Sequence, residues 1–174
     1  ARNDEVNNLL KLNNNKGVCE IANDNAEGQV IVSGNKESIE NFQSILKDNK
    51  IKSLPLKVSA PFHCSLMKPA AKAMEVKIKN TEFKKPLLEI INNVTATPEK
   101  NPENIKKLLV EQIYSTVKWR QSIIKMNELN VKNFIEIGPG KVLNGMVKRT
   151  IKNVNCFSIN SVEDIENVLN EIKK

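Results

Sequence analysis

Residues 133–159 read NFIEIGPGKVLNGMVKRTIKNVNCFSI, and the order of textures in this stretch decides the fold class. A short apolar run, Asn133–Ile137, stops at Gly138-Pro139-Gly140. Helical spacing follows over 141–151, and a second strand-like run covers 154–159. Two strands joined by a helix pair in parallel, because the connection is too long for a hairpin. Parallel strands need cover on both faces, so the pattern predicts an α/β fold with a sandwiched sheet. Ligands of such sheets sit at the carboxyl ends of the strands.

Working outward, Val162–Ile172 has the spacing of a closing helix. Upstream, 65–79 reads as a helix with Pro69 near its first turn, 87–94 as an apolar run, and 102–115 and 117–129 as two helices. Before residue 59 the texture differs. Segment 4–12 has weak helical spacing through Val6, Leu9 and Leu10, and 18–22 and 29–33 are strand-like around an Asn/Asp/Gly turn. Ile39, Phe42, Ile45 and Leu46 form one face of a helix over 36–48, with Ser33 or Asn35 as its cap. The run 51–58 reads as a strand, and Pro55 inside it makes it an edge. That order, α-β-β-α-β, is a ferredoxin-like βαββαβ unit without its first strand. Two subdomains are therefore expected, 1–58 and 59–174.

The 174 residues carry 27 Lys+Arg against 20 Asp+Glu, a net charge of +7, with 40% hydrophobic residues. This is a globular composition, and no run approaches the roughly 20 apolar residues of a membrane helix. The charge is uneven: residues 1–58 balance 8 basic with 8 acidic side chains, so the whole excess lies in 59–174. Such a surface suits an acidic or phosphorylated partner. Nucleic acid is disfavoured, because aromatics are only 4% and no basic run is interleaved with stacking residues. Asn and Lys exceed a quarter of the chain, a bias that A/T-rich codons produce. The chain begins at Ala1 with no basic-then-apolar leader, so a processed or cropped chain is expected.

Cys19, Cys64 and Cys156 are scattered and odd in number, which argues against disulfides or structural zinc and for a reducing compartment. A single histidine cannot build a multi-histidine metal site, so no metal is expected. That histidine, His63, lies between an extended segment and a helix. The residues alone leave two readings level, a proton-transferring base and a hydrogen-bonded structural histidine. Cys64 beside it reads as a buried thiol, since neighbours in an extended segment point to opposite faces. The Gly-Pro-Gly turn favours a tight βα connection over a phosphate seat, for it matches no phosphate-binding signature. Gln112 by itself reads as a surface amide. No G-x-S-x-G elbow is present.

Five runs together carry a resemblance: GQVIVSG (28–34), LPLKVSAPFHCSLMKPAA (54–71), INNVTA (91–96), QIYSTVKW (112–119) and IEIGPGKVLNGMVKR (135–149). In order and spacing they resemble the malonyl-CoA:acyl carrier protein transacylase family over essentially all of 17–160. The resemblance implies an α/β-hydrolase-like large subdomain with an inserted ferredoxin-like small one, here incomplete. It implies that His63, in the family's P-x-H motif, activates a serine that attacks the malonyl thioester. Gln112, in its Q-x-Y motif, would orient that histidine through its main-chain carbonyl. Malonyl-CoA would be the substrate, the phosphopantetheine thiol of an acyl carrier protein the acceptor, and no resident cofactor is needed.

Phe62 resembles a phenylalanine of malonyl-selective domains, where it would leave little room for an α-methyl group; simple packing explains it as well. Lys148 and Arg149 resemble a pair presented to the acidic carrier protein, and a helix dipole favours cations there equally. The family's elbow serine, malonyl-gripping arginine and early oxyanion-hole glutamine precede the small subdomain and have no counterpart in 1–174. The chain is thus expected to be inactive without that missing N-terminal half. Rival readings are a polyketide-type acyltransferase domain with another extender unit and a non-catalytic carrier-binding module. The address implied is a plastid if the source is an A/T-rich eukaryote, and otherwise the cytoplasm.

Overall fold

The computed structural model describes residues 1–14 and 17–173. They form two compact units, Ala1–Trp119 and the chain from Arg120 onward. The change of texture after residue 58 falls inside the first unit.

The first unit opens with α1 (Asn3–Leu10), β1 (Cys19–Ala26), β2 (Gln29–Gly34) and α2 (Lys36–Asp48). The strands form an antiparallel hairpin that pairs Cys19 with Gly34, Ile21 with Val32 and Ala26 with Gln29. It runs four residues further than the expected 18–22, because the turn is tight and Gly28 takes φ 76°. Gly34 allows a close approach: a Cβ there would lie 2.0 Å from the Val18 carbonyl oxygen. Val6, Ile21, Phe42 and Leu46 bury together, with Leu9, Leu10 and Ile45 against them. Removing a Phe42-sized side chain from water supplies about 1.5–3 kcal/mol. Asn35 occupies the N-cap position of α2 without capping it. Its Oδ1 instead accepts from the Val18 N–H at 2.7 Å, and its own N–H donates to the Val18 carbonyl at 2.9 Å.

The expected strand over 51–58 does not form. The segment is irregular, and Leu54, Leu56 and Val58 are exposed. A run of strand-like residues is not sufficient for a strand; a ladder partner is needed as well. Among the described residues no strand pairs with this segment, and Pro55 has no N–H to offer one.

A 3-10 turn (Ser65–Met67) leads into α3 (Lys68–Lys79), with Pro69 in its first turn as expected. The run 87–94 yields only β3 (Ile90–Ile91), paired with β4 (Pro98–Glu99), while Leu87 and Leu88 face solvent. Then α4 (Pro102–Glu111) is capped by Asn101, whose side chain accepts from the N–H groups of Glu103 and Asn104. After α4 the chain returns to the open edge of β1. Val117 donates to the Ala22 carbonyl at 2.8 Å and accepts from the Asp24 N–H at 2.9 Å.

From its second residue onward α5 (Trp119–Glu128) belongs to the second unit, which also holds β5 (Asn133–Ile137), α6 (Val142–Thr150), β6 (Asn155–Ile159) and α7 (Val162–Ile172). The two strands are parallel, with Phe134 opposite Cys156 and Ile135 opposite Phe157, which is the β-α-β unit read from 133–159. Buried Asn144 ties α6 to β6, its Nδ2 donating to the Phe157 carbonyl at 2.6 Å and to Ser158 Oγ at 2.9 Å. Phe134 is buried, but Ile137 on the opposite face is 79% exposed, so β5 is covered on one side only. Among the described residues no helix is long and apolar enough to cross a membrane.

Candidate active site

His63 sits in the turn between the irregular segment and the 3-10 turn, with φ 58°. A left-handed backbone at a non-glycine residue persists only where the surroundings hold it, at a cost of ~1–3 kcal/mol. Several bonds hold this one. Phe62 N–H donates to the Ala60 carbonyl at 2.9 Å, and the Cys64 thiol to the Pro61 carbonyl at 3.1 Å. Two residues on, the Ser65 N–H and Oγ donate to the Glu20 carboxylate at 2.8 and 2.6 Å.

The imidazole is itself tethered. His63 Nδ1 lies 2.8 Å from the main-chain oxygen of Gln112. A carbonyl only accepts, so Nδ1 carries a proton, and in the neutral ring Nε2 keeps its lone pair. Gln112 is not inside the helix expected over 102–115 but at its end, as the C-cap of α4. Carbonyls there lack intrahelical donors and lie at the negative end of the helix dipole. The oxygen is therefore open to the donor that the ring supplies. Gln112 Oε1 faces away from this task and accepts from Asn93 Nδ2 at 3.3 Å. Asn93 is fixed in turn by its carbonyl, which accepts from Lys118 N–H at 2.8 Å.

His63 borders a cleft of about 560 Å³ within the first unit, together with Cys19, Glu20, Glu111, Tyr114 and Ser115. A ring with a lone pair at a cleft wall can take a proton from a hydroxyl or thiol placed there and return it. Neither nearby thiol is an activated nucleophile. Cys64 is fully buried, and burial pushes the Cys19 thiol above its ordinary range, outweighing the bond from Asn13.

Phe62 adjoins His63 and is 45% exposed. Lys148 and Arg149 stand exposed in the last turn of α6, in the second unit, where Arg149 Nε donates to the Gly145 carbonyl at 3.3 Å. The Gly-Pro-Gly turn carries no phosphate seat. Gly138 and Gly140 have φ 129° and 102°, a turn that suits glycine. The helix-start amides of Leu143 and Asn144 donate to the Glu136 carboxylate at 3.1 and 2.8 Å, so the chain's own anion occupies them. Among the described residues no group of three or more His, Cys, Asp and Glu could hold a metal ion.

Glu20, Ser65 and Asn93 escape sequence reasoning. Each is an ordinary polar residue whose role depends on a partner 19 to 45 positions away.

The family described as "Acyl transferase domain" matches residues 2–169. The chain is 37% identical over 161 residues to the malonyl CoA-acyl carrier protein transacylase of Haemophilus influenzae, covering 92% of this chain and 52% of that protein. The acyl-carrier-protein S-malonyltransferase of Bartonella henselae superposes with a TM-score of 0.94 at 34% identity, over all of this chain and 56% of that one. A malonyl-transacylase solved in complex with a type II polyketide acyl carrier protein gives 0.92 at 33%, covering 98% and 56%. This chain thus spans about half the length of the curated relatives it matches. A match over residues 2–169 leaves little of the sequence outside it, and the chain belongs to the acyl transferase domain family.

Proposed function

We propose that this chain is the C-terminal part of a malonyl-CoA:acyl carrier protein S-malonyltransferase of type II fatty acid synthesis. The observation that carries the reading is the 2.8 Å contact between His63 Nδ1 and the Gln112 oxygen, which leaves Nε2 free to act as a base at the cleft. The likeness to carrier-protein transacylases over most of the chain supports it.

In this mechanism His63 Nε2 takes the proton of a serine hydroxyl supplied by the other half of the polypeptide. The serine oxygen attacks the malonyl thioester, the CoA thiolate leaves, and His63 returns the proton to it. In the second half-reaction His63 takes the proton of the phosphopantetheine thiol, whose sulfur attacks the malonyl-serine ester. The serine leaves with the proton from His63. The Gln112 carbonyl, at the negative end of α4, stabilises the imidazolium in both halves. Phe62 narrows the space beside the malonyl α-carbon, a discrimination of ~1–3 kcal/mol against an added methyl. Lys148 and Arg149 meet the acidic carrier protein, where opposite charge mainly raises the encounter rate.

The finer architecture belongs to the same proposal: residues 1–58 form most of a ferredoxin-like small subdomain, and 59–174 the second half of an α/β-hydrolase-like large one. The bare apolar face of β5 and the unpaired run 51–58 support a fold completed by further chain. No metal or resident cofactor enters the scheme. The Asn- and Lys-rich composition supports a plastid address in an A/T-rich eukaryote, with the cytoplasm as the alternative.

The test is peptide mapping of the full-length polypeptide after incubation with malonyl-CoA. A malonylated serine outside residues 1–174 is expected, with transfer on to a carrier protein. The 174-residue piece alone should transfer nothing measurable, because nucleophile and base act as a unit. No adduct in the full polypeptide, or transfer by the piece, overturns the reading.

A further inference from the structure

We propose that Glu20 is a positioning residue for His63, with β1 serving as the common support of both partners in the His63–Gln112 contact. The turn that carries His63 is bound to β1 through one side chain: Glu20 accepts from the Ser65 N–H at 2.8 Å and from Ser65 Oγ at 2.6 Å. Ser65 follows His63 by two residues, so this clamp fixes the exit of the turn in which His63 holds φ 58°. The segment after Gln112 is bound to the same strand. Thr116 Oγ1 donates to the Ile21 carbonyl at 2.6 Å, and Val117 exchanges hydrogen bonds with Ala22 and Asp24. Three consecutive residues of β1, Glu20, Ile21 and Ala22, thus hold the donor ring's turn and the acceptor carbonyl's segment at one fixed separation.

A carboxylate suits this task because hydrogen bonds to an ionised acceptor are roughly twice as strong as neutral ones. It also has two oxygens, and Ser65 uses both. Without Glu20 the Ser65 amide and hydroxyl would turn to water, and the strained backbone at His63 would relax toward ordinary φ. The imidazole would then leave the Gln112 oxygen. Displacement of a catalytic group by about 1 Å costs roughly a hundredfold in rate. The positioning stands on the geometry alone; its consequence for catalysis rests on the proposed function above.

The experiment uses the full-length polypeptide with ¹⁵N-labelled histidine, the His63 signal being assigned by its loss in His63→Gln. The Nδ1–H of His63 is expected as a slowly exchanging, downfield proton. Glu20→Ala should abolish that protection while circular dichroism stays native. Glu20→Gln, which keeps one acceptor oxygen, and Ser65→Ala, which keeps the amide bond, should give intermediate exchange. In malonyl transfer, Glu20→Ala should lower kcat by roughly ten- to a hundredfold with KM for malonyl-CoA changed less than about twofold. An unchanged Nδ1–H signal in Glu20→Ala overturns the inference, whatever the activity. If Glu20→Ala fails to fold, unchanged exchange in both milder variants does so. A polypeptide with no malonyl transfer at all would overturn the proposed function, and the exchange data would still decide the role of Glu20.

Discussion

His63 Nδ1 and the main-chain oxygen of Gln112 meet at 2.8 Å although 49 residues separate them. The acceptor is backbone, so the identity of the side chain at 112 is secondary to the path of the chain there. If the proposed function holds, Gln112→Ala in the full-length polypeptide should therefore keep most activity, with kcat falling less than about tenfold. His63→Ala should cost about 10²–10⁴-fold, the range of a positioned general base. Steady-state malonyl transfer measures both. Equal losses would make the Gln112 amide, not its carbonyl, the acting group.

Charge reversal at the end of α6 tests the proposed carrier surface. Lys148→Glu with Arg149→Glu should lower kcat/KM for the carrier protein by roughly tenfold at low ionic strength. Salt screens exposed charges over about 8–10 Å, so the deficit should shrink toward 0.5 M salt. A deficit independent of salt would point to a folding defect in α6.

Glu136 takes the place that an external anion would hold at the start of α6. Glu136→Ala leaves the amides of Leu143 and Asn144 without their acceptor and removes a favourable charge from the helix N-terminus. The expected loss is about 1–2 kcal/mol, read from the urea unfolding midpoint. Glu136→Gln should lose less, since an amide oxygen still accepts.

Helix α7 carries an acid-sensitive cap. The Asp164 carboxyl is held below its ordinary range by the N–H of Asn160, then that of Ser161, which donate to Oδ2 at 2.8 and 3.0 Å. A depressed carboxyl contributes stability that is complete above its unfolded pKa and is lost as pH falls through the folded one. The unfolding midpoint should thus decline through the acid carboxylate range, and Asp164→Asn should flatten part of that decline. Solvent screens this carboxyl at the helix start, so the contribution is small.

Much of the architecture is legible from local pattern. Phe42 and Leu46 recur at helical spacing and bury where α2 meets β1. The order of apolar run, Gly-Pro-Gly turn and helix in 133–159 specifies a parallel β-α-β unit because connection length and turn chemistry are local properties. The run 51–58 shows the limit. Like 29–33 it is an apolar run that reads as a strand, but β2 has a hairpin partner and among the described residues 51–58 has none, and a strand is defined by its neighbour. Asn35 shows the same limit: it stands at the N-cap of α2, but its Oδ1 accepts from the Val18 N–H and not from the helix start.

The sequence by itself determined the α/β class, the helices with a strong apolar face, and the nomination of His63 and Gln112 through family-like motifs. The resemblance also implied the contact through the Gln112 main-chain carbonyl; tertiary structure alone decided that this carbonyl stands at the end of α4 and that Glu20 clamps the turn at Ser65. It also decided that Glu136 fills the amides of α6. Helix period and turn chemistry act over a few residues and are written locally. These bonds span up to 49 positions, and a hydrogen bond of fixed length between distant residues exists only once the packed chain has brought donor and acceptor together.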